Sequence, residues 1–278
     1  MRGAALITGA SSGIGLATAA LLARRGFITF AGVRSEADAA RIAARDPNIR
    51  PVMLDVTDAA SIAAAATTVA RAQVPLAGVV GNAGYALAGP LEHLPIDELR
   101  RQFEVNVVGA CAVAQAMLPL LRPSGGRVIF VGSISGRFAV PFIAPYSASK
   151  FALRALADAW RIELGPAGVD VILIEPGSVR TPIWQKGRDA NAALFERLPP
   201  QAQERYRSAM DAVLQASENE ARTAIAPERV ASAILRALTA KRPRPRYLVG
   251  AGARAGSVLA LLPPHLSGAI LRRRMRLP

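Results

Sequence analysis

The 278-residue sequence predicts an α/β fold, with a doubly wound parallel sheet of about seven strands in a single domain. Three observations lead to this prediction. Short apolar segments of strand length alternate with helix-like segments from the amino terminus to about residue 250. A glycine-rich turn at residues 8–15 joins the first predicted strand to the first predicted helix. Polar residues follow several strands at their carboxyl ends, where open parallel sheets bind their ligands.

The rhythm of strand and helix is even and contains no internal repeat, which favours one domain over two and implies right-handed crossovers. Predicted strands occupy residues 4–7, 27–33, 49–54, 76–81, 127–131, 170–175 and 247–249. Predicted helices occupy residues 16–25, 37–44, 59–72, 95–121 and 146–164, and a further helix starts at Pro227. A buried face of the 146–164 helix is predicted at the apolar positions Phe151, Leu153, Leu156 and Trp160.

The composition argues against several classes of protein. The single cysteine, Cys111, cannot form an intrachain disulfide, which predicts a reducing compartment. With only His93 and His265, and neither near a nucleophile motif, we expect no metal centre and no serine–histidine triad. The first predicted strand begins within four residues, and we find no uninterrupted apolar run of transmembrane length. These features predict a cytoplasmic protein.

The net charge of +14 suggests a nucleic-acid partner until its distribution along the chain is considered. Residues 241–278 contain nine basic residues and no acidic one, which leaves +5 for residues 1–240. A nucleic-acid binder needs a basic face on its folded body, with salt-dependent retention. We therefore expect no nucleic-acid partner.

The segment from Ser133 to Lys150 carries the strongest indication of catalysis. On a helix, Tyr146 and Lys150 stand at i and i+4 and so share one face. A fixed ammonium ~4 Å from a phenol contributes roughly 4 kcal/mol at an effective dielectric of ~20, enough to lower the tyrosine pKa by about three from its usual ~10. Tyr146 would then titrate near neutral pH, where a general acid/base works best. The alternative is a chance Tyr-x-x-x-Lys pattern on a helix surface.

The glycine-rich turn predicts a phosphate-binding loop between a strand and a helix. Glycines let the backbone come close to a pyrophosphate, whose charge is received by the free N–H groups at the start of the helix. The candidate cofactor-binding residues of this loop are Gly9, Ser11, Ser12, Gly13, Ile14 and Gly15.

Together these motifs resemble the short-chain dehydrogenase/reductase family over roughly residues 1–250. The resemblance rests on the Gly-x-x-x-Gly-x-Gly spacing of the loop, the Tyr-x-x-x-Lys motif and Ser133, thirteen residues before Tyr146. Three further matches are Asn82-Ala83-Gly84, Asn106 and Pro176-Gly177. The resemblance implies a Rossmann-type fold and a nicotinamide-dependent enzyme that interconverts an alcohol and a ketone or aldehyde. It also implies a homodimer or homotetramer, with the 146–164 helix and the Asn106 helix at the subunit interface.

The resemblance also implies a role for each candidate catalytic residue. Tyr146 transfers the proton to or from the substrate oxygen, and Ser133 hydrogen-bonds that oxygen. Lys150 lowers the tyrosine pKa and holds the nicotinamide ribose, while Asn106 holds a water of the proton relay. A non-enzymatic NADP-binding regulatory protein of the same fold is the alternative, although such a protein usually lacks part of this tetrad.

Cofactor choice depends on the end of the second predicted strand, Val33-Arg34-Ser35. In the family, an acid there binds the ribose 2′-hydroxyl of NAD, whereas an arginine accommodates the 2′-phosphate of NADP. Val33 occupies the place of the acid and Arg34 that of the cation, which predicts NADP(H) over NAD(H). The alternative is that Arg34 is a solvated loop residue and that Glu36 reaches the ribose.

Further cofactor contacts are implied at the ends of the later strands. Asp55 accepts a hydrogen bond from the adenine amino group, unless it serves, with Thr57 and Asp58, only to cap the following helix. Asn82, Ala83 and Gly84 approach the adenosine ribose, although Gly81 replaces the usual first asparagine. The segment that closes around the nicotinamide carboxamide contains Pro176, Gly177, Val179 and Thr181.

Two segments remain beyond these motifs. Residues 183–223, which have no strand pattern, correspond to the mobile substrate lid of similar proteins. We expect an apolar substrate, steroid-like, retinoid-like or aliphatic, and the candidate wall residues are Phe138, Val140, Phe142, Ile143, Trp184 and Phe195. The tail at 251–278 combines apolar segments with clustered arginines. It either lies peripherally on an anionic membrane or packs over the pocket or a neighbouring subunit.

Overall fold

The computed structural model of the protein describes residues 2–277, and the side chains of residues 184–190 lie outside that description. One parallel sheet of seven strands forms the centre of the molecule, in the order β3-β2-β1-β4-β5-β6-β7. The order reverses between β1 and β4, so a crevice opens at their carboxyl ends. The strands are β1 (Ala4–Ile7), β2 (Ile28–Val33), β3 (Ile49–Met53), β4 (Leu76–Gly81), β5 (Arg127–Val131), β6 (Asp170–Pro176) and β7 (Arg246–Val249).

Eleven α-helices surround the sheet in the described part of the chain. They are α1 (Gly13–Arg24), α2 (Glu36–Ala43), α3 (Ala59–Arg71), α4 (Ile96–Phe103), α5 (Gly109–Leu121), α6 (Ala144–Leu164), α7 (Pro182–Glu196), α8 (Pro200–Thr223), α9 (Pro227–Thr239), α10 (Ala251–Leu259) and α11 (Pro264–Arg274). The predicted doubly wound sheet is thereby confirmed, with each predicted strand within two residues of its observed bounds.

Two hydrophobic cores cover the two faces of the sheet. Helices α3, α5 and α6 bury one face, where Phe30, Met117 and Leu153 are almost fully enclosed. Helices α1, α2 and α9 bury the other, around Ile7, Leu22 and Ile234. Because both faces are covered, the central strands are apolar along their whole length. This packing holds the carboxyl ends of β1, β4, β5 and β6 along one edge.

The predicted helix 95–121 is interrupted by a π-helical turn, Glu104–Val108, between α4 and α5. The helical run Ile96–Ser124 is, by length and composition, the one described segment apolar enough to cross a membrane. It contributes Val113, Met117 and Leu121 to the core above the sheet. The same composition is therefore explained by burial within the protein.

The prediction of a buried face on α6 is correct for Leu153 but wrong for Phe151. Leu153 is 1% exposed, whereas the Phe151 ring is 39% exposed. Leu156 is half-buried, and the half-buried Trp160 ring lies 6.1 Å from the Phe130 ring. Phe151 follows Lys150 directly and faces away from the sheet, since neighbouring helical positions point about 100° apart.

Candidate active site

The glycine loop between β1 and α1 forms a close-fitting cradle. Gly9 and Gly13 have φ angles of 62° and 54°, in the left-handed region that glycine adopts most readily. A Cβ atom on Gly15 would lie 2.3 Å from the Gly9 carbonyl oxygen, so only glycine fits there. Helix α1 has no acidic residue in its first turn, and its N-cap, Ser12, makes no side-chain capping bond. The start of α1 therefore keeps backbone N–H groups for an anion.

Asn82, at the end of β4, holds this loop in place. Its Nδ2 donates to the carbonyl oxygens of Thr8 (2.9 Å) and Gly9 (3.1 Å). The Thr8 hydroxyl in turn accepts from the backbone N–H groups of Asn82 (2.9 Å) and Ala83 (2.8 Å). The sequence indicated only that residues 82–84 leave room for a ribose. The structure adds that Thr8 and Asn82 join the two strands on either side of the crevice.

A cavity of about 890 Å³ runs from this cradle in both directions along the carboxyl edge of the sheet. Of the predicted catalytic and cofactor-binding residues, all but Gly15 and Asn106 line it. Gly15 packs beneath the loop, and Asn106 lies behind Gly84, where an added Cβ would be 3.0 Å from the Asn106 Oδ1 atom. The sequence motifs, which are far apart in the chain, thus meet on one elongated cavity.

One end of the cavity is lined by Arg34, at the end of β2, and Asp55, just beyond β3. Hydrogen bonds from the Thr57 backbone N–H (3.0 Å) and hydroxyl (2.8 Å) lower the pKa of Asp55, and the charge of Arg34 lowers it further. Asp58 caps α3 by accepting from the Ala60 N–H at 2.9 Å. Capping is thus provided by Asp58, which leaves Asp55 on the cavity.

The acid of α2 that lines the cavity is Asp38, whereas Glu36 is not among the lining residues. Asp38 accepts hydrogen bonds from the Ser35 hydroxyl (3.1 Å) and the Arg41 guanidinium (2.5 Å). Arg41 also donates to the Ser11 carbonyl oxygen at 2.7 Å. The Asp38 carboxylate is therefore neutralised at the rim, and α2 is tied to the glycine loop by an arginine that sequence reasoning missed.

Ser133, Tyr146 and Lys150 form a buried cluster at the carboxyl end of β5, and each is at most 8% exposed. The Lys150 ammonium donates to the Val131 carbonyl oxygen at 2.9 Å and lies 5.6 Å from the centroid of the Tyr146 ring. The Ser133 hydroxyl oxygen accepts from the Ser135 N–H at 3.1 Å. Tyr146 and Lys150 share one helical face, as the i, i+4 spacing predicts, and Ser133 reaches the same point from the strand.

The electrostatics of this cluster differ from the sequence-based expectation. Burial raises the pKa of Tyr146, and a hydrogen bond with Ser133 opposes that rise. Burial also lowers the pKa of Lys150 to about 8. The expected lowering of the tyrosine pKa by the lysine is therefore outweighed, because loss of hydration penalises the phenolate and the ammonium alike.

Asn106 lies in the π-helical turn and is 1% exposed. Its Oδ1 accepts from the Tyr85 N–H (3.0 Å), and its Nδ2 donates to the Tyr85 carbonyl (3.0 Å) and the Ser149 hydroxyl (3.1 Å). Gln102, fully buried one turn earlier, accepts from the Leu87 N–H (2.9 Å) and donates to the Tyr85 carbonyl (2.7 Å). These amides bind the segment after β4 to the helix behind it. Sequence reasoning missed Gln102 and Ser149.

An ion pair that was not predicted from the sequence joins the turn after Ser133 to the end of β6. The Arg137 guanidinium donates to both carboxylate oxygens of Glu175, at 2.8 and 2.6 Å, and Glu175 is fully buried. Glu175 directly precedes the cavity-lining residues Pro176 and Gly177. An acid directly after the apolar residues 171–174 of β6 was the signal in the sequence, because a buried carboxylate needs a partner.

The far end of the cavity is lined by residues between the end of β4 and the π-helical turn, and by residues in and just after α7. Its apolar members are Ala86, Leu87, Val105, Ile183, Ala193 and Leu194, and its polar members are Tyr85, Glu98, Arg101, Asn191 and Arg197. The predicted wall residues Phe138, Val140, Phe142, Ile143 and Phe195 do not line it, and the side chain of Trp184 lies outside the described part. Phe142 and Phe195 pack instead with Leu198, Ala202 and Met210.

Metal chemistry finds no support in the part of the chain that the structure describes. Among those residues, no three His, Cys, Asp or Glu side chains come together in a group that could hold a metal ion. The cavity fits a dinucleotide. It offers a glycine cradle at a helix N-terminus, a cation and an acid after β2 and β3, and a buried lysine beside β5.

Comparison with known proteins agrees with this geometry. The family model described as short chain dehydrogenase matches residues 3–192. The chain is 35% identical over 253 residues to an NADPH-dependent 3-dehydrocapnine reductase of Ornithobacterium rhinotracheale, covering 88% of this chain and 87% of that protein. It is 37% identical over 253 residues to human 17-beta-hydroxysteroid dehydrogenase type 1, covering 87% and 76%.

Among solved structures, a short chain dehydrogenase from Burkholderia cenocepacia J2315 in complex with NADP superimposes with a TM-score of 0.73. It shares 28% sequence identity, and the match covers 99% of this chain and 98% of the other. The protein belongs to the short-chain dehydrogenase/reductase family. It is an NAD(P)-binding oxidoreductase that acts on CH–OH and C=O groups.

Proposed function

We propose that this oxidoreductase uses NADP(H) to interconvert an alcohol and a ketone or aldehyde on an apolar small molecule, with Tyr146 as general acid/base. One observation carries the proposal: the buried cluster of Ser133, Tyr146 and Lys150 shares a single cavity with Arg34 and the glycine cradle. The bound nicotinamide supplies or accepts the hydride. The side chains of this protein supply the proton, orient the substrate oxygen and exclude water.

Tyr146 and Ser133 both donate hydrogen bonds to the substrate oxygen. The raised pKa keeps the Tyr146 phenol protonated at neutral pH, which suits a donor to the oxyanion that forms when a carbonyl is reduced. The Ser133 hydroxyl donates a second hydrogen bond to that oxygen and stabilises its developing charge. Alcohol oxidation requires the phenolate, so its rate should rise with pH more steeply than that of reduction.

Lys150 and Asn106 support this pair. With its pKa near 8, Lys150 is mainly an ammonium at pH 7 and can stabilise the phenolate while binding a ribose hydroxyl. Asn106 keeps the segment after β4 against Ser149, on the same helix as Tyr146. We assign it an organising role in the proton relay through this position.

The preference for NADP(H) is supported by the rim of the cavity beside β2. Arg34 is exposed on the cavity and no acid follows β2 directly, while the nearest lining acid, Asp38, is bonded to Arg41. A 2′-phosphate there would meet a guanidinium rather than a free carboxylate. The apolar substrate is supported by Leu87, Leu194 and their neighbours at the opposite end.

A homo-oligomer is also proposed, on the basis of apolar side chains exposed along the α4–α6 side of the molecule. Val108 is 50%, Phe151 39% and Ile162 80% exposed. Large exposed apolar side chains such as these are found on association surfaces. Pairing of two copies here would remove all three side chains from water, and light scattering of wild type against Ile162→Asp would test it.

The experiment that tests the function is Tyr146→Phe, assayed by NADPH oxidation against a panel of ketones and by NADP reduction with alcohols. Removing the hydroxyl eliminates proton transfer, so turnover should fall by ~10²-fold or more while the fold and cofactor binding persist. Tyr247→Phe is the matched control, because Tyr247 lies in β7, does not line the cavity, and its hydroxyl accepts from the Arg244 N–H at 3.2 Å. Near-normal turnover in a correctly folded Tyr146→Phe protein would refute the mechanism.

A further inference from the structure

The last two helices, α10 and α11, are joined by a turn at residues 260–263, and we call residues 251–274 the hairpin. The hairpin has two different faces. Inward, Ala253 and Gly256 of α10 are buried, and so are Leu271 of α11 and Met275 just after it. A Cβ on Gly256 would lie 2.5 Å from Ile134, which follows the catalytic Ser133. The hairpin therefore packs on the body of the enzyme, with α10 beside the turn that follows Ser133, although no described residue of 251–277 lines the cavity.

The outward face is apolar and exposed. Val258 is 63%, Leu261 83%, Leu262 36%, Leu266 46% and Ile270 45% exposed. Val258 lies in α10, and Leu261 and Leu262 lie in the turn. Leu266 and Ile270 share one face of α11 at i, i+4. Docking of the inner face thus leaves a second apolar surface with no covering element in the described chain. We call Val258, Leu261, Leu262, Leu266 and Ile270 the hairpin tip.

Positive charge continues directly from the hairpin tip. Arg272, Arg273, Arg274 and Arg276 follow Ile270 and are exposed, and Arg273 lies on the same side of α11 as Leu266 and Ile270 by its spacing of seven and three. No acidic residue occurs between 241 and 278. Arg274 pairs with Glu220 at 3.3 Å in a pair that is largely exposed, and the segment has nine basic side chains to balance. The cluster therefore keeps an excess of positive charge.

We propose that the hairpin tip and its arginines form a docking surface for an anionic membrane, on which the enzyme rests peripherally. An interfacial helix combines exposed apolar side chains with arginines that meet the lipid headgroups, as this hairpin does. The charge argues against a second copy of the chain as the occupant, because two such tips would bring two clusters of arginines together. Neither helix is long enough to span a bilayer, so the contact is peripheral.

The test is flotation of the full-length protein with vesicles of phosphatidylcholine, alone or mixed with phosphatidylglycerol, at low and high salt. We expect wild type to float with the mixed vesicles at low salt and to be released by high salt. Leu261→Ser with Leu266→Ser should weaken binding about tenfold per side chain. Arg273→Gln with Arg276→Gln should weaken it about fivefold per charge.

Matched controls carry the same changes elsewhere on the surface. Met53→Ser with Leu91→Ser replaces two apolar residues that are 41% and 58% exposed, and Arg24→Gln with Arg25→Gln removes two exposed charges from the end of α1. The controls should float like wild type, and every variant should keep its activity on a soluble ketone. The proposal is overturned if wild type does not float, if the controls lose as much binding as the hairpin variants, or if the hairpin variants change only the oligomeric mass.

Discussion

The glycine loop and α7 border the same cavity, and α7 with α8 forms the segment predicted to be the substrate lid. The loop and this lid are held by different kinds of contact. The loop is bound by Thr8 and Asn82, whose hydrogen bonds lie between two central strands. The predicted lid is bound instead to the segment between β4 and α4. Asn191 Oδ1 accepts from the Ala88 N–H (2.9 Å), and the Tyr206 hydroxyl donates to exposed Glu92 (2.7 Å).

This difference predicts which segments of the enzyme can open locally. The bonds of the loop break only if two central strands separate, whereas those of the lid can break by local opening of a helix. The segments that hold the cofactor side are therefore expected to stay fixed, and the lid to open at a small fraction of the global stability. Variants of both regions test this contrast.

Arg137→Met should have the largest effect, because it leaves the buried Glu175 carboxylate without its partner. Breaking a buried ion pair in this way destabilises a protein by about 3–5 kcal/mol. Denaturation by urea would measure the loss. Arg100→Met is the matched control, since its pair with Asp97 is exposed at 74% and 89% and should be worth about 0–1 kcal/mol. Similar losses of stability in both variants would mean that the buried Arg137–Glu175 pair contributes no more to the free energy of unfolding than an exposed pair does.

Arg34→Asp tests whether the end of the cavity beside β2 binds the 2′-phosphate of the cofactor. If Arg34 binds the 2′-phosphate, its charged hydrogen bond contributes about 1.5–3 kcal/mol, or about ten- to a hundredfold in affinity. Wild type should prefer NADP(H), and the variant should prefer NAD(H), as measured by the ratio of kcat/KM for the two cofactors. Arg50→Asp, on the outer strand β3, is a control of equal charge change. Equal use of both cofactors by wild type would contradict the assignment.

Lys150→Met should abolish activity yet increase stability at neutral pH. The pKa of Lys150 falls from 10.5 to about 8 on folding, so burying its charge opposes folding at every pH below about 8. Between about 8 and 10.5 the unfolded chain binds more protons, and the free energy of unfolding rises with pH. After the lost bond to Val131 is subtracted, we expect a net gain on the order of 2 kcal/mol at pH 7.

The measurement is urea denaturation of wild type and Lys150→Met from pH 6 to pH 10. The stability difference between them should shrink as the pH rises, because wild type alone is relieved of the buried charge. A difference that does not depend on pH would show that Lys150 is not buried as an ammonium at neutral pH.

Asn191→Ala should have the smallest effect and should act on the lid alone. Losing the bond to Ala88 weakens lid closure by about 1 kcal/mol, which makes the open form about fivefold more populated. Limited proteolysis within residues 182–223 should accelerate by that factor, with global stability nearly unchanged. Asn48→Ala, which loses a 3.3 Å bond to Ala23 on the other side of the sheet, should leave cleavage in the lid unaffected. Equal acceleration by both variants would argue against a lid latch at Asn191.

The fold and the cavity could be predicted from the sequence because they depend on local patterns. Alternating apolar segments specify a covered parallel sheet, and the strand-to-helix glycine turn specifies the cradle. Since parallel strands end on one edge, residues that follow different strands must meet there. Ser133, Tyr146 and Lys150 were therefore predictable as a cluster from spacing and resemblance.

Tertiary structure alone decided what surrounds those residues. Whether Tyr146 is more or less acidic depends on its burial and on the distance to Lys150, neither of which is encoded in the i, i+4 spacing. The partners of Glu175 and Asn106 lie 38 and 43 residues away, at Arg137 and Ser149, and no local pattern joins them. The walls of the substrate end were predicted from nearby aromatic residues, but the packing of α7 and α8 turned Phe142 and Phe195 into a separate core. Long-range packing and desolvation set these features, because they depend on every element that covers a site and not on the element that carries the residue.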